Sequence, residues 1–389
     1  MIRRIVLIVI GLLIAAALLF FTAGPIWLEW QMNQREQVAL PEVSEEARQL
    51  HGELVIADMH ADTLLWRRDP LRYANRGHAD LRRLERGNVA LQIFSSVTKS
   101  PAGLNYDSNP SDSDNLVWLV FAQLQPTRTW NSLLERSLWH ATRLERAEER
   151  SAGRLRIIHS AADIGQLIED RADRRRVTGA MLSVEGLHNL EGDFGNLNRL
   201  YEAGFRMASP THFFDNELGG SMHGEEKGGL TDFGRRVIRA MEVRGMIVDI
   251  AHASRAMVSD ILAMARRPVV SSHGGVQAIC DVNRNLSDAQ IRAVAQNGGV
   301  IGIGYWEGAI CSYEPERIVD SILHVRALVG TRHVGLGSDY DGSTTVGFDT
   351  SQIAVITQLL IDRGVPEDEI AAIMGGNVVR LLREGLPQR

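Results

Sequence analysis

Eight short apolar segments, separated by longer amphipathic ones, constrain the fold of this chain more than any other feature. Several of them are nearly continuous in Val, Ile, Leu, Ala and Met, which is typical of strands buried on both faces of a parallel sheet. Strands that alternate with helices predict βα units, and eight such units make a (β/α)₈ barrel. The predicted strands cover residues 53–59, 88–94, 180–184, 205–209, 246–251, 268–272, 299–304 and 333–338.

The remaining periodic segments predict helices and one insertion. The predicted helices cover residues 197–203, 232–244, 254–266, 287–297 and 315–328, with a last pair at 351–363 and 366–384. Residues from 108 to about 170 are expected to form a helical insertion between the second and third strands. The sequence therefore predicts one α/β barrel domain over residues 51–389, preceded by a polar stalk over residues 31–50.

The N-terminal segment differs from the rest of the chain. Arg3 and Arg4 precede 24 uncharged residues, from Ile5 to Leu28. A bilayer core needs about 20 apolar residues in a helix, whereas the apolar part of a signal peptide has about 7–15. We therefore expect residues 1–30 to be a cytoplasmic basic start followed by a transmembrane anchor. The remaining chain would lie outside the cytoplasm, on the periplasmic or extracellular side. A signal peptide cleaved near Ala23 is the alternative.

Charge and cysteine content narrow the possibilities further. The net charge is −6 and no long basic run is present, so nothing supports nucleic-acid binding. The two cysteines, Cys280 and Cys311, would be able to pair in an exported protein. From their spacing alone, a disulfide bond and two buried free thiols are equally open.

Residues that can bind metals follow six of the eight predicted strands. The C-terminal ends of the strands in a β/α barrel converge on one face, and that face holds the active site. These residues are His60 and Asp62 after the first strand, Glu185 after the third, His212 after the fourth, His252 after the fifth, His273 after the sixth and Asp339 after the eighth.

Five of these residues predict a site for two metal ions. His60 and Asp62 are two positions apart, so both side chains point to the same side of an extended strand. Imidazole and carboxylate together are a ligand set typical of zinc. We expect His60, Asp62 and Glu185 on one ion, and His252 and His273 on the other, with Glu185 bridging both. Two such ions would hold a hydroxide between them as the nucleophile.

Each residue alone also has a structural interpretation. Asp62 could cap a helix, since Asp is a frequent N-cap residue. His252 could be a loop histidine beside a helix start, and His212 a hydrogen-bonded core histidine. The placement of all these residues at equivalent strand ends favours the metal site.

Taken together, the motifs resemble those of the membrane (renal-type) dipeptidases, a family of zinc peptidases. The resemblance runs from about residue 55 to about residue 380. It implies a barrel of the metal-dependent hydrolase type. The motifs are Asp58-Met59-His60-Ala61-Asp62, Asp80-Leu81-Arg82-Arg83-Leu84, Ser183-Val184-Glu185-Gly186, Thr211-His212, Gly229-Leu230-Thr231-Asp232-Phe233-Gly234, Asp249-Ile250-Ala251-His252, Ser272-His273, Arg284-Asn285-Leu286 and Gly335-Leu336-Gly337-Ser338-Asp339-Tyr340-Asp341-Gly342.

The resemblance also implies roles for further residues. The family's metal ligands fall on the same five positions, with two Zn²⁺ per chain. His212 would hold the carbonyl oxygen of the substrate, Arg284 its C-terminal carboxylate, and Asp339 its free amine or the departing nitrogen. Cys280 and Cys311 match a disulfide pair of the animal members. A homodimer is a further expectation.

The expected function is hydrolysis of dipeptides by a hydroxide that bridges the two metals, with D-residues possible at the C-terminal position. One alternative is another binuclear amidohydrolase, acting on N-acyl amino acids or lactams. Arg284 discriminates between the two, because a substrate without a carboxylate would not need it. An inactive, membrane-tethered binding protein is an alternative of another class. Its sign would be a missing ligand, and none of the five is missing.

Overall fold

The computed structural model describes all 389 residues and contains nine β-strands, which are all parallel to their neighbours. Eight of them follow one another in the order β6-β5-β4-β2-β1-β9-β8-β7, and β3 pairs with the outer part of β4. The strands are β1 (Ile56–Ala61), β2 (Val89–Val97), β3 (Leu155–Ile157), β4 (Thr178–Glu185), β5 (Phe205–Ser209), β6 (Ile247–Val248), β7 (Val270–Gly274), β8 (Val300–Ile303) and β9 (Val334–Leu336).

The two ends of this strand order also meet. A parallel bridge joins Asp249, directly after β6, to Val270 of β7. The amide of Ile250 donates a hydrogen bond of 2.7 Å to the carbonyl of Val270. The sheet therefore curls round to meet itself, which confirms the predicted α/β barrel. Each of the eight predicted strands begins and ends within three residues of its predicted bounds.

Helices surround the barrel. Those predicted from the sequence are all present, and the additional strand β3 lies in the segment that was expected to be helical. The helices are α1 (Ile2–Phe21), α2 (Ala23–Met32), α3 (Glu45–Glu53), α4 (Leu81–Arg86), α5 (Leu116–Ala122), α6 (Leu133–Arg150), α7 (Ala161–Ala172), α8 (Asn196–Glu202), α9 (Asp232–Arg244), α10 (Arg255–Met264), α11 (Asp288–Gln296), α12 (Glu307–Ile310), α13 (Pro315–Val329), α14 (Ala354–Asp362), α15 (Glu367–Ala371) and α16 (Asn377–Gly385), with a π-helical turn at Ala372–Gly376.

Side-chain caps define where many of these helices begin. Their first turns leave backbone N–H groups without partners, and an oxygen of the N-cap residue accepts from one of them. Such capping bonds fix the points at which the chain leaves each strand-end loop. The capping residues are Ser44, Asp80, Ser132, Ser160, Thr231, Ser254 and Ser287.

The alternation along β1 shows how the strands separate core from site. Asp58 and His60 point to one side of the strand, whereas Met59 between them packs in an apolar cluster with Val378 of α16. A larger cluster of 66 buried apolar residues fills the space between the sheet and most of the other helices. The polar side chains of β1 therefore lie on the face of the strand opposite the one that packs against α16.

The N-terminal helix α1 has no buried residue and is the one helix long and apolar enough to cross a membrane. A signal sequence near an N-terminus meets the same criteria. Helix α2, which follows after Thr22, differs because it buries Pro25 and Glu29 against the barrel domain.

Candidate metal centre

The strand ends bring together all five residues that were predicted to bind metals. The two carboxylate oxygens of Glu185 lie between two groups of ligands. Oε2 is 3.5 Å from Nε2 of His60, which is in turn 3.4 Å from Oδ2 of Asp62. Oε1 is 2.7 Å from Nε2 of His252 and 3.1 Å from Nε2 of His273. These side chains are at most 5% exposed.

The geometry of these donors fits divalent cations. Ligand atoms that share a tetrahedral zinc ion at about 2.0–2.1 Å lie about 3.3 Å apart, and the donor atoms here are 2.7–3.5 Å apart. Nε2 of His252 and Nε2 of His273 face one another at 3.0 Å. The buried Oδ1 of Asp62 has no hydrogen-bond partner. Cations at the two groups of ligands would satisfy that oxygen in one group and the facing imidazole nitrogens in the other.

One contact network fixes the protonation of His273. The hydroxyl of Ser272 donates its only proton to Oδ2 of Asp249 at 2.5 Å. Its oxygen, 2.8 Å from Nδ1 of His273, therefore accepts a hydrogen bond from that ring nitrogen. The imidazole then carries its proton on Nδ1, and the lone pair on Nε2 faces Glu185, as a metal ligand requires.

Burial and neighbouring charges shift the pKa values of three other ligands, Glu185, Asp62 and His252. Burial raises the pKa of Glu185, but His212, His60 and His273 outweigh it, so the pKa lies well below its usual value. Burial raises the pKa of Asp62 to about 6. Burial and Arg284 hold the pKa of His252 well below its usual value, which favours the neutral imidazole that binds metals.

Three further predicted residues lie around this cluster. Nε2 of His212 is 3.5 Å from Oε1 of Glu185, and Oδ1 of Asp339 is 3.8 Å from Nε2 of His60. The guanidinium of Arg284 donates to the carbonyl of His273 at 2.7 Å. All three line a cavity of about 570 Å³, together with Asp62, Glu185 and His252. The cavity thus contains both a carboxyl group, near His60, and a guanidinium, near His273.

The backbone is held in an uncommon conformation at this site. His252 and Asp339 have positive φ angles of 65° and 60°. Residues other than glycine adopt this left-handed region rarely, and it costs of order 1–3 kcal/mol at a functional site. Both side chains line the cavity.

A comparison with known protein families identifies the family to which the chain belongs. The family described as membrane dipeptidase (peptidase family M19) matches residues 44–386, which is most of the chain. The chain belongs to the membrane dipeptidase family. Its members are peptide-bond hydrolases, and the buried clusters of metal-binding residues fit a metal-dependent dipeptidase.

Relatives of this dipeptidase are found in fungi, and a bacterial protein of known structure shares its fold. Dipeptidase aclJ of Aspergillus oryzae is 37% identical over 213 residues, which are 52% of this chain and about half, 50%, of that protein. Dipeptidase tcpJ of Claviceps purpurea is 30% identical over 79% of this chain and 69% of its own length. A metallopeptidase structure from Rhodobacter sphaeroides, liganded with a phosphinate mimic of the dipeptide L-Ala-D-Ala, shares the fold. Its TM-score is 0.70 at 22% identity, over 85% of this chain and 99% of that one.

Two carboxylates behind the metal ligands of this dipeptidase, Asp58 and Asp249, belong to the family motifs, but the sequence alone did not assign them a role. Oδ1 of Asp58 accepts from the amide of His60 and from Gln92, and its Oδ2 accepts from the amide of Ser338. Asp249 fixes Ser272, as described above. Asp249 acts on His273 through Ser272, so the spacing of Asp249 from His252 in the sequence did not reveal this partner.

The loop that carries Arg284 is held by a disulfide bond between Cys280 and Cys311. The two cysteines are 31 positions apart, and the bond joins this loop to the end of α12. Next to Arg284, the side chain of Asn285 donates to the carbonyls of Cys280 and Ala309, at 2.8 and 2.9 Å. The disulfide bond and these hydrogen bonds therefore hold the loop that carries the guanidinium of Arg284.

Proposed function

We propose that this dipeptidase holds two zinc ions and hydrolyses free dipeptides. The single observation that carries the proposal is the position of Glu185, whose two carboxylate oxygens face separate histidine groups. His60, Asp62 and Glu185 would hold one ion, and Glu185, His252 and His273 the other. Ions held by these residues would supply Lewis-acid chemistry and a water nucleophile that is active at neutral pH.

The remaining residues orient the substrate and stabilise charge. Nε2 of His212, 3.5 Å from Glu185, is placed to donate to the carbonyl oxygen of the scissile bond as negative charge develops. Arg284 would bind the C-terminal carboxylate through its planar guanidinium. Burial raises the pKa of Asp339 well above its usual value, so this carboxyl group is suited to exchange a proton with the amine or with the leaving nitrogen.

The presence of both Arg284 and Asp339 in the cavity supports dipeptides as substrates. A dipeptide carries one positive and one negative end, and the cavity offers a carboxyl group on the side of His60 and a guanidinium on the side of His273. An N-acyl amino acid, the alternative substrate class, would use Arg284 but would leave Asp339 without an amine. A lactam would have to be selected by the other walls of the cavity.

We further propose that D-residues are accepted at the C-terminal position. The support is the relative from Rhodobacter sphaeroides, which binds a mimic of L-Ala-D-Ala. The proposal extends to the location of the enzyme, with α1 as an uncleaved anchor and the barrel outside the cytoplasm. The apolar length of α1 and the arginines that precede it support this location.

A kinetic panel with metal analysis tests these proposals. The full-length enzyme is assayed on L-Ala-L-Ala, L-Ala-D-Ala, N-acetyl-L-Ala-L-Ala and N-acetyl-L-Ala, before and after chelation and with zinc restored. We expect two zinc ions per chain, hydrolysis of both free dipeptides, and loss of activity on chelation that zinc reverses. Faster hydrolysis of the N-acetylated compounds would favour the amidohydrolase alternative. Undiminished activity after removal of all metal would refute the proposed site.

A further inference from the structure

The active-site cavity continues beyond the metal centre along helix α2, which is not part of the barrel. Its lining includes Trp27, Leu28 and Met32 of α2, and Leu119 of the neighbouring helix α5. Helix α2 covers residues 23–32, whereas the family match begins at residue 44. This wall is therefore contributed by a segment outside the part of the chain that resembles other dipeptidases.

Helix α2 is fixed against the barrel by buried ion pairs. Glu29 is 1% exposed and lies 2.7 Å from Nε of Arg68 and 2.7 Å from Nε of Arg76. Arg68 is also paired with Asp341, two residues after Asp339. Removing one partner from such a buried set leaves an uncompensated charge, so the set holds the helix in one position.

The residues after α2 extend this attachment along the same loop. Oδ1 of Asn33 accepts from the amide of Ser343 at 3.0 Å, and Arg35 pairs with Asp349 at 2.9 Å. The amide of Glu36 donates to the carbonyl of Val346 at 2.9 Å. The segment that was expected to be a stalk is thus joined to the loop that carries Asp339, so its position relative to the metal centre is set.

The face that α2 turns to the cavity is apolar. Leu28 packs with Leu65, Trp66 and Leu119 in a small apolar cluster. Trp27 is 60% exposed although it lines the cavity, so it stands at the mouth. Exposed apolar groups that are contiguous with a catalytic site mark a surface for an apolar ligand group rather than for water.

We propose that the wall formed by Trp27, Leu28 and Met32 binds a large apolar side chain on the N-terminal residue of the dipeptide. This inference rests on the proposed function, which places the substrate amine at Asp339. The loop from Asp339 to Thr344 lies between the metal centre and α2, and Gly342, Ser343 and Thr344 also line the cavity. The side chain nearest to α2 therefore belongs to the residue that carries the amine.

The position of α2 also brings this wall close to a membrane if α1 spans one. Only Thr22 separates the two helices, and ten residues of helix extend about 15 Å. Dipeptides with a large apolar side chain partition towards a bilayer surface, where the mouth of the cavity would lie.

Two tryptophans of the same helix provide a matched comparison. Trp27 lines the cavity and is 60% exposed, whereas Trp30 is 50% exposed and does not line it. The full-length enzyme in lipid nanodiscs is assayed on Ala-Ala, on the series Leu-Ala, Phe-Ala and 2-aminooctanoyl-Ala, and on the reversed series with Ala first. The measured quantity is kcat/KM for each dipeptide relative to kcat/KM for Ala-Ala.

We expect this ratio to rise roughly 10- to 100-fold along the series with the apolar residue first, the range for burying one large apolar side chain. Trp27→Ala lowers the ratio by at least roughly fivefold, a large part of that gain, and Trp30→Ala leaves it unchanged. A flat series, or equal effects of the two variants, overturns the proposal, and so does a rise confined to the reversed series. Absence of hydrolysis of every dipeptide, Ala-Ala included, is the distinct result that removes the proposed function and this inference with it.

Discussion

The two sides of the metal centre differ in charge although both are built from strand ends. One side, here called the acidic half, contains His60, Asp62 and Asp339. The other, the basic half, contains His212, His252, His273 and Arg284. Glu185 is shared, with one carboxylate oxygen facing each half. The acidic half has an excess of carboxylates, and the basic half has an excess of nitrogen donors and a buried guanidinium.

This difference shows how one barrel face can bind a dipolar molecule in a single direction. The carboxylates raise the pKa of His60 well above its usual value against the effect of burial. Burial, with the charges of His60 and Arg284, lowers the pKa of His273 well below its usual value. Under the proposed function, the amine of a dipeptide would be attracted to the acidic half and its carboxylate to the basic half. Equal ligand sets would not by themselves give this direction.

The largest effect on activity is expected from a change of Glu185, the residue that the two halves share. Replacing Glu185 by Gln removes a negative charge that faces His60, His252 and His273 at once. In the proposed site, one ion would lose its oxygen ligand from this residue and both would lose its charge. We expect kcat/KM to fall on the order of 10³-fold or more, about 4 kcal/mol of transition-state stabilisation. Metal content by mass spectrometry should fall below two per chain. Glu225→Gln, at an exposed position, is the control. Wild-type turnover in Glu185→Gln would refute the shared-ligand assignment.

The next prediction tests the acidic half. Asp339→Asn keeps the shape of the side chain but removes its ability to exchange a proton. We expect kcat for free dipeptides to fall about 10²-fold, the usual range for a general acid or base, with metal content unchanged. The variant should also lose most of its preference for Ala-Ala over N-acetyl-Ala-Ala. If that preference were retained, Asp339 would not be the residue that contacts the amine.

The basic half is tested by Arg284→Ala. A charge-assisted hydrogen bond contributes about 1.5–3 kcal/mol, so we expect KM for dipeptides to rise roughly 10- to 100-fold while kcat changes little. Arg284→Lys should recover only part of this loss, since a lysine cannot form the two parallel bonds of a guanidinium. Dipeptide amides, which lack the carboxylate, should be hydrolysed equally by the wild type and the alanine variant. A fall in kcat alone would place Arg284 elsewhere in the mechanism.

The smallest effect on activity is expected from removing the disulfide bond that holds the loop of the basic half. The double variant Cys280→Ser/Cys311→Ser opens a loop of 31 residues that carries Arg284. We expect the free energy of unfolding to fall by about 2–4 kcal/mol, measured by denaturant titration. KM should rise only about two- to threefold, because Asn285 still holds the loop. Equal stability with and without the bond would contradict its structural role.

Much of this molecule followed from local patterns in the sequence. The apolar runs located all eight barrel strands within three residues, because burial on both faces leaves a local signature of continuous apolar residues. The short strand β3 was missed, since Leu155–Ile157 has only three residues and the charged residue Arg156 lies in its middle. Three residues are too few for a period to be read.

The sequence by itself determined which residues stand at the strand ends, and hence the chemical types of donor that the site contains. Only the tertiary structure decided that Glu185 faces His60 through one oxygen and His252 through the other. It alone placed α2 beside the cavity, through the contacts of Glu29 and Asn33 with residues distant in the chain. The physical reason is that strand periods depend on neighbours in sequence, whereas charge pairing and cavity walls depend on distances that exist only after the barrel has closed.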